Sequence, residues 1–121
     1  MKLKVPGKPV LAKIPHYYIC IEDEKTKKKF LIITSNIFNL MSFNYGVNDV
    51  KRLDPPQPNL PFLYKTSYIL FTEIFVLVDV DIPETKIKGL EAFDNFDLNQ
   101  MKSACKDAKE YFLRASDIEI L

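Results

Sequence analysis

Two aromatic and β-branched runs, separated by a wholly polar stretch, require a β-sheet in the first third of this chain. His16-Tyr17-Tyr18-Ile19-Cys20-Ile21 and Phe30-Leu31-Ile32-Ile33-Thr34-Ser35 flank Glu22-Asp23-Glu24-Lys25-Thr26-Lys27-Lys28-Lys29. Such side chains pack well on a pleated surface, so each run predicts a strand, and the pair predicts a hairpin with a charged, protruding tip. Neither run alternates cleanly between apolar and polar. Strands of that kind are buried on both faces, as in a small barrel.

Further strands are expected at Thr66-Ser67-Tyr68-Ile69-Leu70-Phe71 and at Glu73-Ile74-Phe75-Val76-Leu77-Val78-Asp79-Val80, close enough to form a hairpin around Thr72. Between the two strand pairs, Asp54-Pro55-Pro56-Gln57-Pro58-Asn59-Leu60-Pro61 excludes a helix or an interior strand. Proline fixes φ and lacks the N–H, so this segment reads as an extended, rigid connection. Near the C-terminus, Leu98, Met101, Cys105, Ala108 and Phe112 recur at three- and four-residue spacing. That stripe predicts an amphipathic helix over 97–114, with Asp97 as its N-cap. The chain reads as one domain over 1–121: an arm over 1–14, a barrel core over 15–80 and the closing helix. The fold class is mainly β, a small SH3-like barrel with a C-terminal amphipathic α-helix.

A length of 121 residues leaves no room for a second enzyme domain. No apolar stretch is long enough to span a bilayer, and Met1-Lys2-Leu3-Lys4-Val5-Pro6 lacks the apolar run of a secretory signal. These features imply a cytoplasmic protein with no membrane partner. Cys20 and Cys105 both fall in apolar runs and read as reduced thiols. One histidine and two scattered cysteines do not make a zinc site, so no metal and no cofactor is expected. The formal net charge of +1 hides an asymmetry. Residues 1–30 hold eight lysines and three acids (+5), whereas residues 73–121 hold six basic and eleven acidic residues (−5). Such a split can give one basic and one acidic face.

Chemistry is carried by few side chains. His16 is the only imidazole, at the start of a strand after Pro15. Thr34 and Ser35 end the second strand with hydroxyls that can hold a phosphate oxygen or satisfy a turn. Lys27, Lys28 and Lys29 are candidate anion contacts. Glycine-rich phosphate loops, nucleophile elbows and paired carboxylates are absent from the sequence.

Taken in order, Pro15-His16-Tyr17-Tyr18-Ile19-Cys20-Ile21, the polar loop, and Phe30-Leu31-Ile32-Ile33-Thr34-Ser35 resemble a divergent branch of the MazF/PemK-like superfamily of plasmid-maintenance toxins. Asn59-Leu60-Pro61-Phe62-Leu63 and Lys65-Thr66-Ser67-Tyr68-Ile69 are similar to that branch's Pro-Phe and Ser-Tyr segments. The resemblance covers about 15–114. It implies an SH3-like barrel, often dimeric, acting as a metal-independent endoribonuclease that a small antitoxin neutralises. Carried over, Thr34 and Ser35 match the hydroxyl-bearing strand end. The family's Arg-Pro before that strand is replaced by Lys27-Lys28-Lys29, whose ammonium groups lack the bidentate fork of arginine. The resemblance therefore implies a toxin-type endoribonuclease with His16, Thr34 and Ser35 as catalytic residues and Lys27, Lys28 and Lys29 on the phosphate. Its partners would be RNA, an antitoxin-like protein and a second copy in a homodimer. The alternative is a non-catalytic SH3-like module that binds a protein or nucleic acid.

Overall fold

A computed structural model describes residues 1–4, 16–35, 47–57, 60–83 and 95–120. The strands are β1 (Lys2–Leu3), β2 (Tyr17–Asp23), β3 (Lys27–Thr34), β4 (Val50–Leu53), β5 (Ser67–Leu70), β6 (Glu73–Val78), β7 (Lys109–Leu113) and β8 (Ile118–Glu119). One α-helix, α1 (Asn95–Ala104), precedes β7, and 3₁₀ turns occupy Val47–Asp49 and Ala115–Asp117. Among the described residues the architecture is mainly β with one α-helix.

β3 is the centre of the six-stranded sheet. Antiparallel β2 runs along one edge, from Tyr17↔Ile33 to Asp23↔Lys28. The polar stretch is therefore mostly strand, and the loop shrinks to Glu24-Lys25-Thr26. The other edge is shared end to end by β5, at Ile33↔Ile69 and Thr34↔Tyr68, and β6, at Phe30↔Phe75 through Lys27↔Val78. The expected hairpin around Thr72 does not form. Phe71-Thr72 has no residue suited to the positive φ of a tight hairpin turn, so the chain runs on along β3. From Ile33↔Ile69 to Phe30↔Phe75, β3 advances three residues and its partner six, and the surplus forms a bend at Phe71–Thr72. Two of the bend's backbone groups are satisfied: Phe71 N–H donates to the Asp49 carbonyl (2.8 Å) and Lys109 N–H donates to the Thr72 carbonyl (3.0 Å).

Outside β5 lies antiparallel β4, and outside β6 lies β7, which is parallel. The expected helix over 97–114 is thus corrected: α1 ends at Ala104 and Lys109–Leu113 is a strand. The helical stripe is real as far as it goes, since Met101 and Cys105 are buried and Leu98 and Ala108 pack beside them. Beyond it, Val76 and Leu77 of β6 are fully buried, and their edge must be paired. Lys-Glu-Tyr-Phe-Leu alternates well enough to pair there, and Phe112 ends up exposed on β7. A parallel neighbour needs a long crossover, which is why a helix sits between β6 and β7. Asp97 falls inside the first turn of α1, so it favours the helix through the dipole rather than as N-cap.

Both faces of the sheet are covered, as the continuous apolar runs require. Leu31, Ile33, Ile19, Ile69 and Val76 face α1 and the proline-rich connection, where Leu60 and Leu63 are buried. Phe30, Phe75, Leu77 and Leu113 face Leu3, with Tyr18, Ile32 and Ile118 packed alongside. The expected arm over 1–14 therefore contributes a strand. β1 pairs β8 (Lys2↔Glu119, Leu3↔Ile118), and Leu3 is among the most buried residues; residues 5–15 lie outside the described set. Strands also extend past the expected 15–80 core, at both ends of the chain. Among the described residues no ladder joins β2 to β4 or β7, and the sheet is open.

The charge asymmetry folds onto itself. Lys29 reaches Glu110 (3.4 Å) and Glu22 (3.5 Å), Lys28 reaches Asp23 (3.6 Å), and Lys4 reaches Asp117 (4.0 Å). Among the described residues these pairs mix early lysines with carboxylates near and far. Glu73, half-buried at the start of β6, has its carboxyl pushed upward by burial, with Lys109 opposing. A raised folded-state value means this group favours the fold at low pH, and the benefit is lost as pH rises through that value. Glu73→Gln should accordingly raise the urea midpoint at neutral pH, and the gain should close as pH falls below the ordinary glutamate range. Equal midpoints at neutral pH would contradict the burial argument.

Candidate functional site

The sequence brings four candidate groups to β3, with Ser35 just beyond it, but the strand holds them at its two ends. Thr34 closes β3 and Lys27 opens it. From Lys29 to Thr34 is five residues, about 17 Å along a strand. The expected convergence of Lys27, Lys28 and Lys29 with His16, Thr34 and Ser35 is therefore corrected. Lys28 and Lys29 are also engaged by carboxylates. Burial alone would lower the Lys29 ammonium, but the hydrogen bond and charge of Glu110, helped by Glu22, outweigh it and hold the group above its ordinary range.

His16 lies at the same end of the sheet as the hydroxyls. It precedes β2 by one residue, and continuing the register past Tyr17↔Ile33 sets it opposite Thr34. Its N–H donates to the Met1 carbonyl (3.1 Å), which fixes the strand entry. Residues directly opposite in an antiparallel pair share a face. Thr34 is opposite Tyr68, and Tyr68 is opposite Arg52. Thr34, Tyr68 and Arg52 thus form one row across β3, β5 and β4, and the extended register would add His16 just ahead of β2, about 14 Å in all at the backbone. Ser35 follows at the exposed strand end.

Arg52 is the member that sequence reading missed. It lies on β4, a four-residue strand with exposed central positions that gave no apolar run to find. Its Nε donates to Asp54 Oδ1 (2.8 Å), and the same oxygen accepts from Thr66 Oγ1 (3.0 Å). These bonds, the Arg52 one first, hold the Asp54 carboxyl below its usual range. The Asp54 hydrogen bond and charge, with a smaller Tyr68 contribution, hold the Arg52 guanidinium above its own. One of only two arginines in the chain is therefore tethered at the sheet end, and Arg52 followed two residues later by Asp54 was the available signal.

The row offers an imidazole for proton transfer, an aliphatic hydroxyl, a phenol and a guanidinium. That set can bind a phosphodiester and move protons around it. Among the described residues, no group of histidine, cysteine and carboxylate side chains is arranged to hold a metal ion, and no helix is long and apolar enough to cross a membrane. Cys105 is buried and its thiol is pushed up to about 11 by burial; Cys20, also raised by burial first, is exposed, and both are free thiols. No protein-family model, curated protein or solved structure matches this chain.

Proposed function

We propose that the protein is a metal-independent endoribonuclease of the toxin type, with its centre on the His16–Thr34–Tyr68–Arg52 row. What supports this reading is the register that pairs Thr34 with Tyr68 and Tyr68 with Arg52, with His16 one residue ahead of the Tyr17↔Ile33 pair. His16 takes the proton of a ribose 2′-hydroxyl as that oxygen attacks the adjacent phosphorus. The bond from phosphorus to the 5′ oxygen breaks, and the leaving oxygen takes a proton from the Tyr68 phenol. The products are a 2′,3′-cyclic phosphate and a 5′-hydroxyl end. Solvent then restores the phenol and removes the proton from His16. Thr34, with Ser35 beside it, donates to a non-bridging phosphate oxygen. Arg52 opposes the charge of the phosphorane, the role that Lys27, Lys28 and Lys29 are too distant to fill.

The bend at Phe71–Thr72 and the two covered faces support reading the sheet as a partly closed SH3-like barrel. An antitoxin-like protein and a second copy remain the partners this reading implies.

Purified protein should cleave unstructured RNA in the presence of a chelator and leave cyclic-phosphate ends. His16→Ala should reduce that cleavage by about 10²-fold or more, the range for loss of a general base. Full cleavage by His16→Ala removes the imidazole from the centre. No cleavage by the wild type, with RNA still bound, leaves the non-catalytic binding module.

A further inference from the structure

We propose that Asp54 is a positioning residue for Arg52: held by Thr66, its carboxylate grips the guanidinium by Nε and leaves the two terminal amino groups for the phosphate. The inference rests on the reading of the row as a phosphodiester site and concerns a residue to which that reading gives no part.

The clamp follows from the sheet's own register. Leu53, the last residue of β4, pairs with Ser67, and both are buried. One step further, Thr66 Oγ1 donates to Asp54 Oδ1 at 3.0 Å. The backbone on each side is braced as well. Ser67 Oγ donates to the Lys65 carbonyl (3.0 Å), and Gln57 Nε2 donates to the Asp54 carbonyl (2.7 Å). Into this fixed corner Arg52, two residues earlier in the chain, donates from Nε to the same Oδ1 at 2.8 Å. Among the described residues Asp54 is the only hydrogen-bond partner of the guanidinium. A guanidinium carries five N–H donors. Asp54 takes one, and those on the two terminal nitrogens are left.

Three roles are open to a carboxylate beside an arginine, and the geometry separates them. The Arg52 and Asp54 side chains are 63% and 58% exposed. Ion pairs so exposed contribute little to stability, so holding the fold together is not the role. The bonds from Arg52 and Thr66 keep the Asp54 carboxyl below its usual range, which makes it a poor proton acceptor. Orientation remains. A loose arginine samples many rotamers, and binding a phosphate must first halt that motion. Fixing Nε beforehand holds the planar fork as a unit, so that its terminal groups can engage two phosphate oxygens at once. The negative charge of Asp54 opposes RNA binding, whereas its grip favours the reacting geometry. Removing Asp54 should therefore act in opposite directions on affinity and on rate.

Arg52 and Arg114 are the only arginines, so nitrogen NMR resolves both Nε groups. Arg114 approaches its carboxylate, Asp79, only by Nη1 at 3.9 Å and serves as the mobile reference. The heteronuclear NOE of Arg52 Nε should match the backbone in the wild type and fall to the Arg114 value in Asp54→Ala. Asp54→Ala should also slow single-turnover cleavage of RNA about tenfold. A 2′-O-methyl oligoribonucleotide, which cannot be cut, should bind that variant as tightly as the wild type or more tightly. A merely structural role would weaken both. Thr66→Val should slow cleavage about threefold, and Thr66→Ser should restore it. Adding Asp54→Ala to Arg52→Ala should cost nothing further, because Asp54 acts through Arg52. Asp54 is exposed, so its replacement leaves the fold intact; thermal unfolding checks Thr66→Val. A wild-type Arg52 Nε as mobile as that of Arg114 overturns the clamp. So does full cleavage by Asp54→Ala, or a double variant about tenfold slower than Arg52→Ala alone. A firm Nε released by Asp54→Ala, with no cleavage by the wild type, defeats the nuclease and keeps the clamp. Cleavage with a mobile Nε does the reverse.

Discussion

Arg52→Ala should slow RNA cleavage by about a hundredfold to a thousandfold, measured under single-turnover conditions. That is the range for removing one preorganised donor to a charge that develops in the transition state. Arg52 is exposed, so the thermal midpoint should hardly move, and the loss can be read as chemistry rather than unfolding. Arg52→Lys keeps the charge but loses the planar fork and the Nε donor that Asp54 holds, so it should recover only a fraction of the rate. Lys28→Ala, at the far end of β3, should leave the rate unchanged. If Lys28→Ala were the crippled variant and Arg52→Ala the active one, the phosphate would lie at the other end of the strand.

Leu31→Ala should destabilise the fold by about 3 kcal/mol, with a range of 2–5 for a fully buried leucine. Leu31 is 0% exposed, sits on the central strand, and packs in the core that includes Ile19, Ile69, Val76 and Met101. β2 pairs with β3 at this position and α1 covers the same face, so the cavity cannot close without moving a strand or the helix. For a domain with about 5–15 kcal/mol of total stability this is a large fraction. Urea denaturation should show a lower midpoint with an unchanged slope, since the surface exposed on unfolding is nearly the same. Ile32→Ala removes a half-buried side chain from the opposite face and should cost less. A loss below about 1 kcal/mol in Leu31→Ala would mean that the α1-side core is not tightly packed.

The sequence made the centre of the sheet legible and left its edges obscure. Phe30 to Thr34 could be read because a doubly covered strand is apolar at every step. β4 could not, because Val50–Leu53 buries only its last residue firmly and displays Lys51 and Arg52 to solvent. β7 was masked by a coincidence of spacing. Ala108 and Phe112 continue the stripe of Leu98, Met101 and Cys105, yet the tertiary demand of the β6 edge outweighs local periodicity. The hairpin around Thr72 failed for a different reason: two apolar runs separated by one residue look like paired strands, and only their shared partner β3 reveals a single bent one. Half of the candidate site followed the same logic. His16 and Thr34 come to the same end of the sheet because consecutive strands pair in register, which sequence can suggest. Arg52 and Tyr68 join them through two further ladders, and Lys28 and Lys29 leave them because eight strand residues are a rod rather than a point.

The far-reaching ion pairs have a consequence during synthesis. Lys29 finds Glu110 across 81 positions, and Lys4 finds Asp117. Until those carboxylates leave the ribosome, the nascent segment presents a cationic front to a particle made largely of polyanion. Local acids such as Glu22 and Asp23 offset part of it at once, and the rest waits for the last strands to emerge. Docking of β7 and β8 then closes the second core and brings Glu110 and Asp117 to those lysines in one step.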